Sequence, residues 1–240
     1  MDGISASSDA AKYSVTFSGK CDENGKTVQL AKKNGKFCAT ANVSADHMDE
    51  LIVATLKKDG KVIGSYSYKV KEYLDSVSTY GNDELAALVN TVKTYGSVSK
   101  AYFNTPDSMP AVSDYSEKYS TDEFEPKKDS SDMISLVLDS KLAARLYVDG
   151  LTATGTAVCG SDTLKAKKSA SGEYYFEVKG IDPTELADDI VIKYNEKEYV
   201  FKPLSWCYLV SKNNAGGRNQ VMADMLYEYY TNAAAYKNTL

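Results

Sequence analysis

The chain has 240 residues, of which 43% are hydrophobic and 25% charged. This composition is typical of a globular protein and too apolar for a disordered one. The net charge of −5 and the lack of a basic cluster argue against nucleic acid and anionic membrane surfaces as partners. No apolar run approaches the roughly 18 residues of a membrane-spanning helix, so we expect no membrane insertion.

The start of the chain lacks the basic and apolar segments of a signal peptide. Residues 1–11 are rich in Ser and Ala, and we expect a flexible N-terminal flank that follows a removed export signal. A first α+β module is predicted over residues 12–104. Its main strands are expected at 13–17, 27–30, 51–56 and 62–68. Asp59-Gly60, between the last two, is a dipeptide typical of a type I′ hairpin turn.

A longer helix is expected to end this module. Apolar side chains recur with helical spacing at Leu85, Leu88, Val89, Val92 and Tyr95. Asn82 or Asp83 is a suitable N-cap for it. Residues 105–131 follow; they contain three prolines and many Ser, Asp and Glu residues without a sustained period. We interpret them as a linker or a long surface excursion.

The second α+β module is predicted over residues 132–240, and its later part repeats the first. Residues 35–104 and 172–238 share one order: a strand led by glycine, an acidic one-turn segment, a hairpin, a short helix, a Gly/Asn turn and a longer helix. Gly35 matches Gly172, and Tyr95 matches Tyr229. We therefore predict an α+β fold of two tandem related modules. Each is a small antiparallel sheet or sandwich with a C-terminal helical pair.

Four cysteines allow three full pairings, and the sequence does not choose among them. Cys21 and Cys38 flank a predicted hairpin, so a disulfide between them is one interpretation. Small buried thiols are the other. Scattered cysteines and a single histidine do not match the ligand spacing of a zinc site.

The residues that catalysis requires are sparse. His47 is the one imidazole, and it lies in an acidic turn away from any recognisable nucleophile. No glycine-rich phosphate loop is present. The acidic residues cluster at equivalent places in the two modules, around Asp49 and Glu185, which favours a turn or capping role over a calcium site. We expect a protein that is not an enzyme and needs no cofactor or metal.

Tyrosine is unusually frequent: 19 tyrosines stand beside six phenylalanines and one tryptophan. Flat aromatic rings stack on the C–H faces of sugars, while Asn and Arg bond their hydroxyls. The second module concentrates such side chains on its two helices and the turn between them. The candidate carbohydrate-binding residues are Trp206, Tyr208, Tyr227, Tyr230, Asn213, Asn214 and Arg218. Packing in the interior is the competing role for every ring, and for Trp206 the two roles are evenly balanced.

The duplicated pattern resembles modules in secreted and cell-surface proteins of gut Clostridia of the Ruminococcus type. The resembling segments are residues 135–150, residues 66–74 and the helix from Leu85 to Tyr102. Some members of that family are similar to starch-adherence proteins, which hold resistant starch at the cell surface beside amylases. The second copy departs from the pattern, since Trp206 stands where the first has Tyr73.

The resemblance implies a noncatalytic, extracellular or cell-surface protein that binds an α-glucan such as starch. Other surface proteins of a starch-degrading complex are the implied partners. The alternative is a structural or adhesive surface module that binds a protein partner, with its tyrosines in the core. An enzyme is the third candidate.

Overall fold

The computed structural model describes residues 10–33, 35–79, 81–104, 108–127, 134–138, 141–213 and 216–240. Within these ranges the chain has the predicted α+β class, with antiparallel strands that mostly precede helices. Most of the predicted N-terminal flank lies outside the described residues. No helix in the described ranges has the length and apolar character needed to cross a membrane.

A four-stranded antiparallel sheet forms the centre of the first half. The strands of this half are β1 (Tyr13–Ser18), β2 (Thr27–Gln29), β3 (Ala31–Lys33), β4 (Lys36–Cys38), β5 (Ile52–Lys58) and β6 (Lys61–Tyr68). The sheet has the order β2-β1-β5-β6, and β3 and β4 form a separate hairpin. The turn between β5 and β6 has positive φ at Asp59 (49°) and Gly60 (77°), as a type I′ turn requires. The predicted hairpin is therefore confirmed.

Two four-stranded sheets form the second half. Their strands are β7 (Ile134–Leu138), β8 (Leu142–Tyr147), β9 (Thr156–Cys159), β10 (Asp162–Lys165), β11 (Lys167–Lys168), β12 (Tyr174–Lys179), β13 (Ile190–Tyr194) and β14 (Lys197–Phe201). The orders are β10-β9-β13-β14 and β11-β12-β8-β7. Side chains of both sheets, among them Leu146, Phe176 and Ile192, belong to one buried cluster. The second half is therefore a β-sandwich.

Two long helices join the halves. The helices are α1 (Val70–Val77), α2 (Asp83–Asn104), α3 (Ser116–Tyr119), α4 (Ser205–Lys212) and α5 (Gly217–Lys237). The N-cap predicted for α2 is confirmed, because the Asn82 side chain accepts a hydrogen bond from the Leu85 backbone N–H at 3.0 Å. The most extensive helix contact is that of α2 with α5. The rings of Tyr95 on α2 and Tyr229 on α5 lie 5.3 Å apart.

Packing of α2 on α5 makes the main core continuous across both halves. Tyr95 and Val98 of α2 belong to the same buried cluster as the sandwich and α5. The first sheet has only a small cluster of its own, formed by Val15, Phe17 and Ile52. The prediction for the first half was a helical pair packed on its own sheet. The structure differs, because the buried side chains of α2 belong to the core shared with α5 and the sandwich.

The segment predicted as a linker is packed where the structure describes it. Residues 108–127 contain α3 and a 3-10 helix at Asp122–Phe124. The side chain of Tyr119 is 0% exposed and that of Phe124 4%. Both belong to the main core. The domain boundaries that we predicted on either side of this segment stay a prediction.

Candidate functional site

An open cleft lies between the end of the sandwich, the start of α4 and the segment before residue 128. At one end the cleft is mostly apolar, with an empty volume of about 430 Å³. That end is lined by Ile134, Leu136, Pro203, Trp206 and Leu209. The middle is shared with a more polar end and is lined by Pro126, Lys127, Val200, Phe201, Lys202 and Ser205. A mainly apolar lining with a few polar groups is common to small-molecule sites.

Trp206 reaches the cleft because α4 is amphipathic. Cys207 and Val210 are buried in the core, whereas Trp206 and Leu209 are half-buried. Residues three apart share one face of a helix, so Trp206 and Leu209 line the cleft together. Pro203 lies just before the helix and adds to the same wall. One part of the Trp206 ring therefore packs on the core and another part borders the cleft.

Charged side chains gather at the polar end. Its lining includes Asp122, Glu123, Glu125 and Asp189, with Lys127 and Lys202 among them. The Lys127 ammonium lies 3.0 Å from an Asp189 carboxylate oxygen, and this pair joins the two walls. Both side chains are largely exposed, so the pair contributes little to stability. The arrangement offers carboxylate acceptors and ammonium donors beside an apolar wall.

The ring of Tyr208 is not exposed to solvent. It is buried, and the Lys212 ammonium lies over its ring at 5.1 Å from the centroid. Loss of solvation and the nearby carboxylates of Glu125 and Asp122 raise the pKa of its hydroxyl. On the helix it follows Trp206 by two positions, which places it on a different face. Tyr208 thus packs in the interior, which was the competing role for this residue.

Two of the polar residues predicted to act with Trp206, Asn213 and Arg218, lie apart from the cleft. Asn213 is exposed at the far end of α4, about 10 Å along the helix from Trp206. Arg218 is exposed at the start of α5, with its guanidinium 5.1 Å from the centroid of the Tyr102 ring. Asn214 lies outside the described residues. Neither Asn213 nor Arg218 is among the residues that line the cleft.

Tyr227 and Tyr230 form an aromatic cluster with the packed segment. The ring of Tyr227 lies 5.7 Å from that of Tyr115, 5.7 Å from that of Tyr119 and 6.3 Å from that of Phe124. Tyr230 lies 6.1 Å from Tyr227. Both α5 tyrosines are half-buried. These α5 tyrosines therefore pack against residues 108–127, the segment that leads to the cleft.

A buried carboxylate beneath this cluster escaped the sequence analysis. Asp224 accepts hydrogen bonds from the Tyr115 backbone N–H at 2.8 Å and from the Tyr119 hydroxyl at 2.9 Å. The Gln220 amide donates to Asp224 at 3.2 Å and also contacts the Tyr119 hydroxyl. Burial and the carboxylate raise the pKa of Tyr119. The available signal was an acidic residue inside the apolar run of residues 222–226.

A second buried carboxylate lies on the sandwich. Glu177 on β12 contacts Arg145 Nε at 3.0 Å, Lys167 Nζ at 2.6 Å and Lys179 Nζ at 3.4 Å. Desolvation raises its pKa, but the hydrogen bonds from Lys167 and Arg145 outweigh this, and the net pKa is lowered. This cluster is a structural network on the outer face of the sheet.

The acidic turns have the structural role that the sequence indicates. Each contains a 3-10 helix, at Ala45–His47 and at Pro183–Glu185, and the second carries a capping box between Asp182 and Glu185. The Asp49 carboxylate pairs with Lys100 at 2.8 Å. In the described ranges, no group of three or more His, Cys, Asp or Glu residues could hold a metal ion.

The disulfide suggested between Cys21 and Cys38 is wrong, because all four cysteines are free thiols. Cys21 packs against the small core of the first sheet. Cys38 lies on β4, where its thiol donates a hydrogen bond to the Ala31 carbonyl at 3.4 Å. The hairpin is β3–β4 alone, so Cys21 lies outside it. Cys207 is fully buried, and burial raises the pKa of its thiol.

Comparisons with protein-family models, with curated proteins and with solved structures found no match for the chain.

Proposed function

We propose that this chain is a noncatalytic carbohydrate-binding module of a secreted or cell-surface bacterial protein, with an α-glucan such as starch as its ligand. The observation that carries the proposal is the position of Trp206. Its half-buried ring borders an open cleft that is apolar at one end and rich in hydrogen-bonding groups at the other. A sugar has the same division, between C–H faces and hydroxyls.

Binding would use the two ends of the cleft for different parts of the glucan. The Trp206 ring would stack on the C–H face of one glucose unit, and Leu209 and Pro203 would cover its edge. The next unit would place hydroxyls near the carboxylates of Glu125 and Asp189, which accept hydrogen bonds from O–H donors. A neutral ligand needs no compensating charge, so the Lys127–Asp189 pair can stay formed. No cofactor takes part.

The two halves are proposed to be related modules. The support is topological: β2-β1-β5-β6 in the first sheet corresponds to β10-β9-β13-β14 in the second half. A 3-10 helix precedes the hairpin β5–β6 in the first half and the hairpin β13–β14 in the second, and a short and a long helix follow each hairpin. The second half has two additional strands, β7 and β8, which complete its sandwich. A common origin with the surface modules of gut Clostridia stays a prediction.

The test is retention on granular starch of the wild type and of two Trp206 variants. Trp206→Leu keeps an apolar side chain but removes the flat ring, and Trp206→Phe keeps a smaller ring. We expect retention of the wild type, partial retention of Trp206→Phe and loss in Trp206→Leu. Tyr73→Leu, which removes an aromatic ring that is 64% exposed on α1, is the matched control and should bind normally.

The proposal fails if the folded wild type is not retained on starch or on any other glucan. It also fails if Trp206→Leu binds like the wild type. Circular dichroism of each variant establishes that lost retention does not reflect unfolding.

The alternative, a structural or adhesive module that binds a protein partner, has one observation in its favour. Strand β6 forms an exposed edge of the first sheet, with large apolar side chains in contact with solvent. Retention of the wild type on starch through Trp206 would make this role secondary.

A further inference from the structure

A polar hollow lies between the first half and the outer face of the sandwich. Its empty volume is about 460 Å³. The first half contributes Asp22 and Asn42 to the lining. The sandwich contributes the other described lining residues, which are Val137, Lys141, Ala143, Arg145, Glu177 and Lys179. None of these described residues lines the Trp206 cleft, so the hollow is a separate place on the molecule.

The strand register explains why the sandwich side of the hollow is charged. Successive residues of a strand point to opposite faces, so Arg145 lies on the face away from the buried Leu146. Arg145 on β8 lies directly opposite Glu177 on β12, and Ala143 lies directly opposite Lys179. The small side chain of Ala143 therefore leaves space between longer charged side chains.

The guanidinium of Arg145 is held in one orientation. Its Nε donates a hydrogen bond to Glu177 Oε1 at 3.0 Å, and the guanidinium lies 4.7 Å from the centroid of the Tyr175 ring. The Nε–H group is one of five N–H donors on a guanidinium. A planar fork that is fixed beforehand binds oxyanions without the entropic cost of ordering it.

Positive charge exceeds negative charge around the hollow. Three cations contact the carboxylate of Glu177, namely Arg145, Lys167 and Lys179. Lys141 adds a fourth positive charge and Asp22 a second negative one. Glu23 and Lys26 lie beside the Asp22 wall and balance each other. An excess of two positive charges remains, and a concave surface concentrates its field on a bound anion.

We propose that this hollow binds a phosphate group, as the free ion or as the monoester of a small molecule. At pH 7 a phosphate monoester carries about −1.5 to −2 charges, which matches the excess. Its oxygens suit the fork of Arg145 and the ammonium groups of Lys141 and Lys179. A carboxylate carries a single charge and would leave part of the excess without a partner. The proposal does not depend on glucan binding.

The first test is calorimetric titration with inorganic phosphate at low ionic strength. We expect the wild type to bind one equivalent. Lys179→Gln should weaken binding about tenfold, because it removes one charge-assisted hydrogen bond. Lys193→Gln is the matched control and should bind like the wild type. Its side chain is 63% exposed, against 60% for Lys179, and each lysine lies beside a glutamate.

Two outcomes of this titration overturn the proposal. One is a folded wild type that binds no phosphate at any concentration. The other is equal weakening by Lys179→Gln and Lys193→Gln, since this would indicate a diffuse effect of charge. Circular dichroism establishes that both variants are folded, and both replace lysines that are largely exposed.

The second test identifies the source of the phosphate group and separates the hollow from the cleft. Glucose 6-phosphate, inorganic phosphate and glucose are titrated in parallel. Tighter binding of the ester than of the free ion supports a phosphorylated sugar, and the reverse order supports the free ion. Trp206→Leu should bind both phosphates as tightly as the wild type. Loss of phosphate binding in folded Trp206→Leu, or equal affinity for glucose and its phosphate, contradicts a phosphate site in the hollow.

Discussion

Replacement of Asp224 by alanine should destabilise the protein strongly. The carboxylate accepts hydrogen bonds from the Tyr115 N–H and from the hydroxyl of Tyr119, whose side chain is 0% exposed. Alanine leaves these two donors without the acceptor, and each buried donor left unsatisfied costs about 1–3 kcal/mol. We therefore expect the free energy of unfolding to fall by about 3–4 kcal/mol. Asp224→Asn keeps one oxygen and should cost about half as much.

The assay is urea denaturation followed by circular dichroism at pH 7. Asp188→Ala removes an exposed carboxylate and should change the free energy of unfolding by less than about 0.5 kcal/mol. The double variant Asp224→Ala with Tyr119→Phe should cost less than the sum of the single changes, since the unsatisfied hydroxyl is gone. If Asp224→Ala unfolds at the wild-type urea concentration, the network does not secure residues 108–127.

Two further predictions concern charge and backbone. The lowered pKa of Glu177, which follows from Lys167 and Arg145, means that its contribution is complete above the ordinary pKa of 4.5 and is lost as the pH falls below it. Glu177→Gln should therefore lose less stability between pH 5 and pH 2 than the wild type. Gly19 has φ +115°, and a Cβ there would lie 2.4 Å from the Leu51 carbonyl oxygen. Gly19→Ala should cost about 2–4 kcal/mol in urea denaturation.

Each of these changes has a control in the chain. Glu198→Gln removes an exposed carboxylate that pairs with Lys193 and should leave the acid limb of the stability curve almost unchanged. Gly25→Ala also replaces a glycine of positive φ (72°), but no atom lies within 4 Å of the new Cβ. It should therefore cost clearly less than Gly19→Ala. If Glu177→Gln loses as much stability as the wild type between pH 5 and pH 2, the argument for Glu177 is wrong. If Gly19→Ala and Gly25→Ala lower the free energy of unfolding equally, the argument for Gly19 is wrong.

Local features of the fold could be predicted because their cause lies within a few residues. Asp59-Gly60 adopts positive φ at both positions, and Asn195 (φ 48°) and Glu196 (φ 64°) do the same in the turn between β13 and β14. The Asn82 cap follows from the same kind of short-range chemistry. Helical spacing also identified the apolar face of α2. The spacing did not predict which element packs against that face, because it depends only on residues within the helix itself.

The cleft could be predicted only in part, because its walls come from distant parts of the chain. Trp206 was identified from its side-chain chemistry. Lys127 and Asp189, which meet beside it, are 62 residues apart in sequence. Nothing in the local pattern of residues 105–131 indicated burial, since the packing of Tyr119 depends on Asp224, which is 105 residues away.

The single tryptophan of the chain provides the most direct test of the central claim. Because Trp206 borders the proposed glucan site, its fluorescence reports on that cleft alone. We predict that titration with malto-oligosaccharides shifts the emission saturably and protects the ring from quenching by acrylamide. Cello-oligosaccharides of equal length should give a weaker response. An emission spectrum and a quenching rate that stay unchanged at the highest oligosaccharide concentrations would contradict the account.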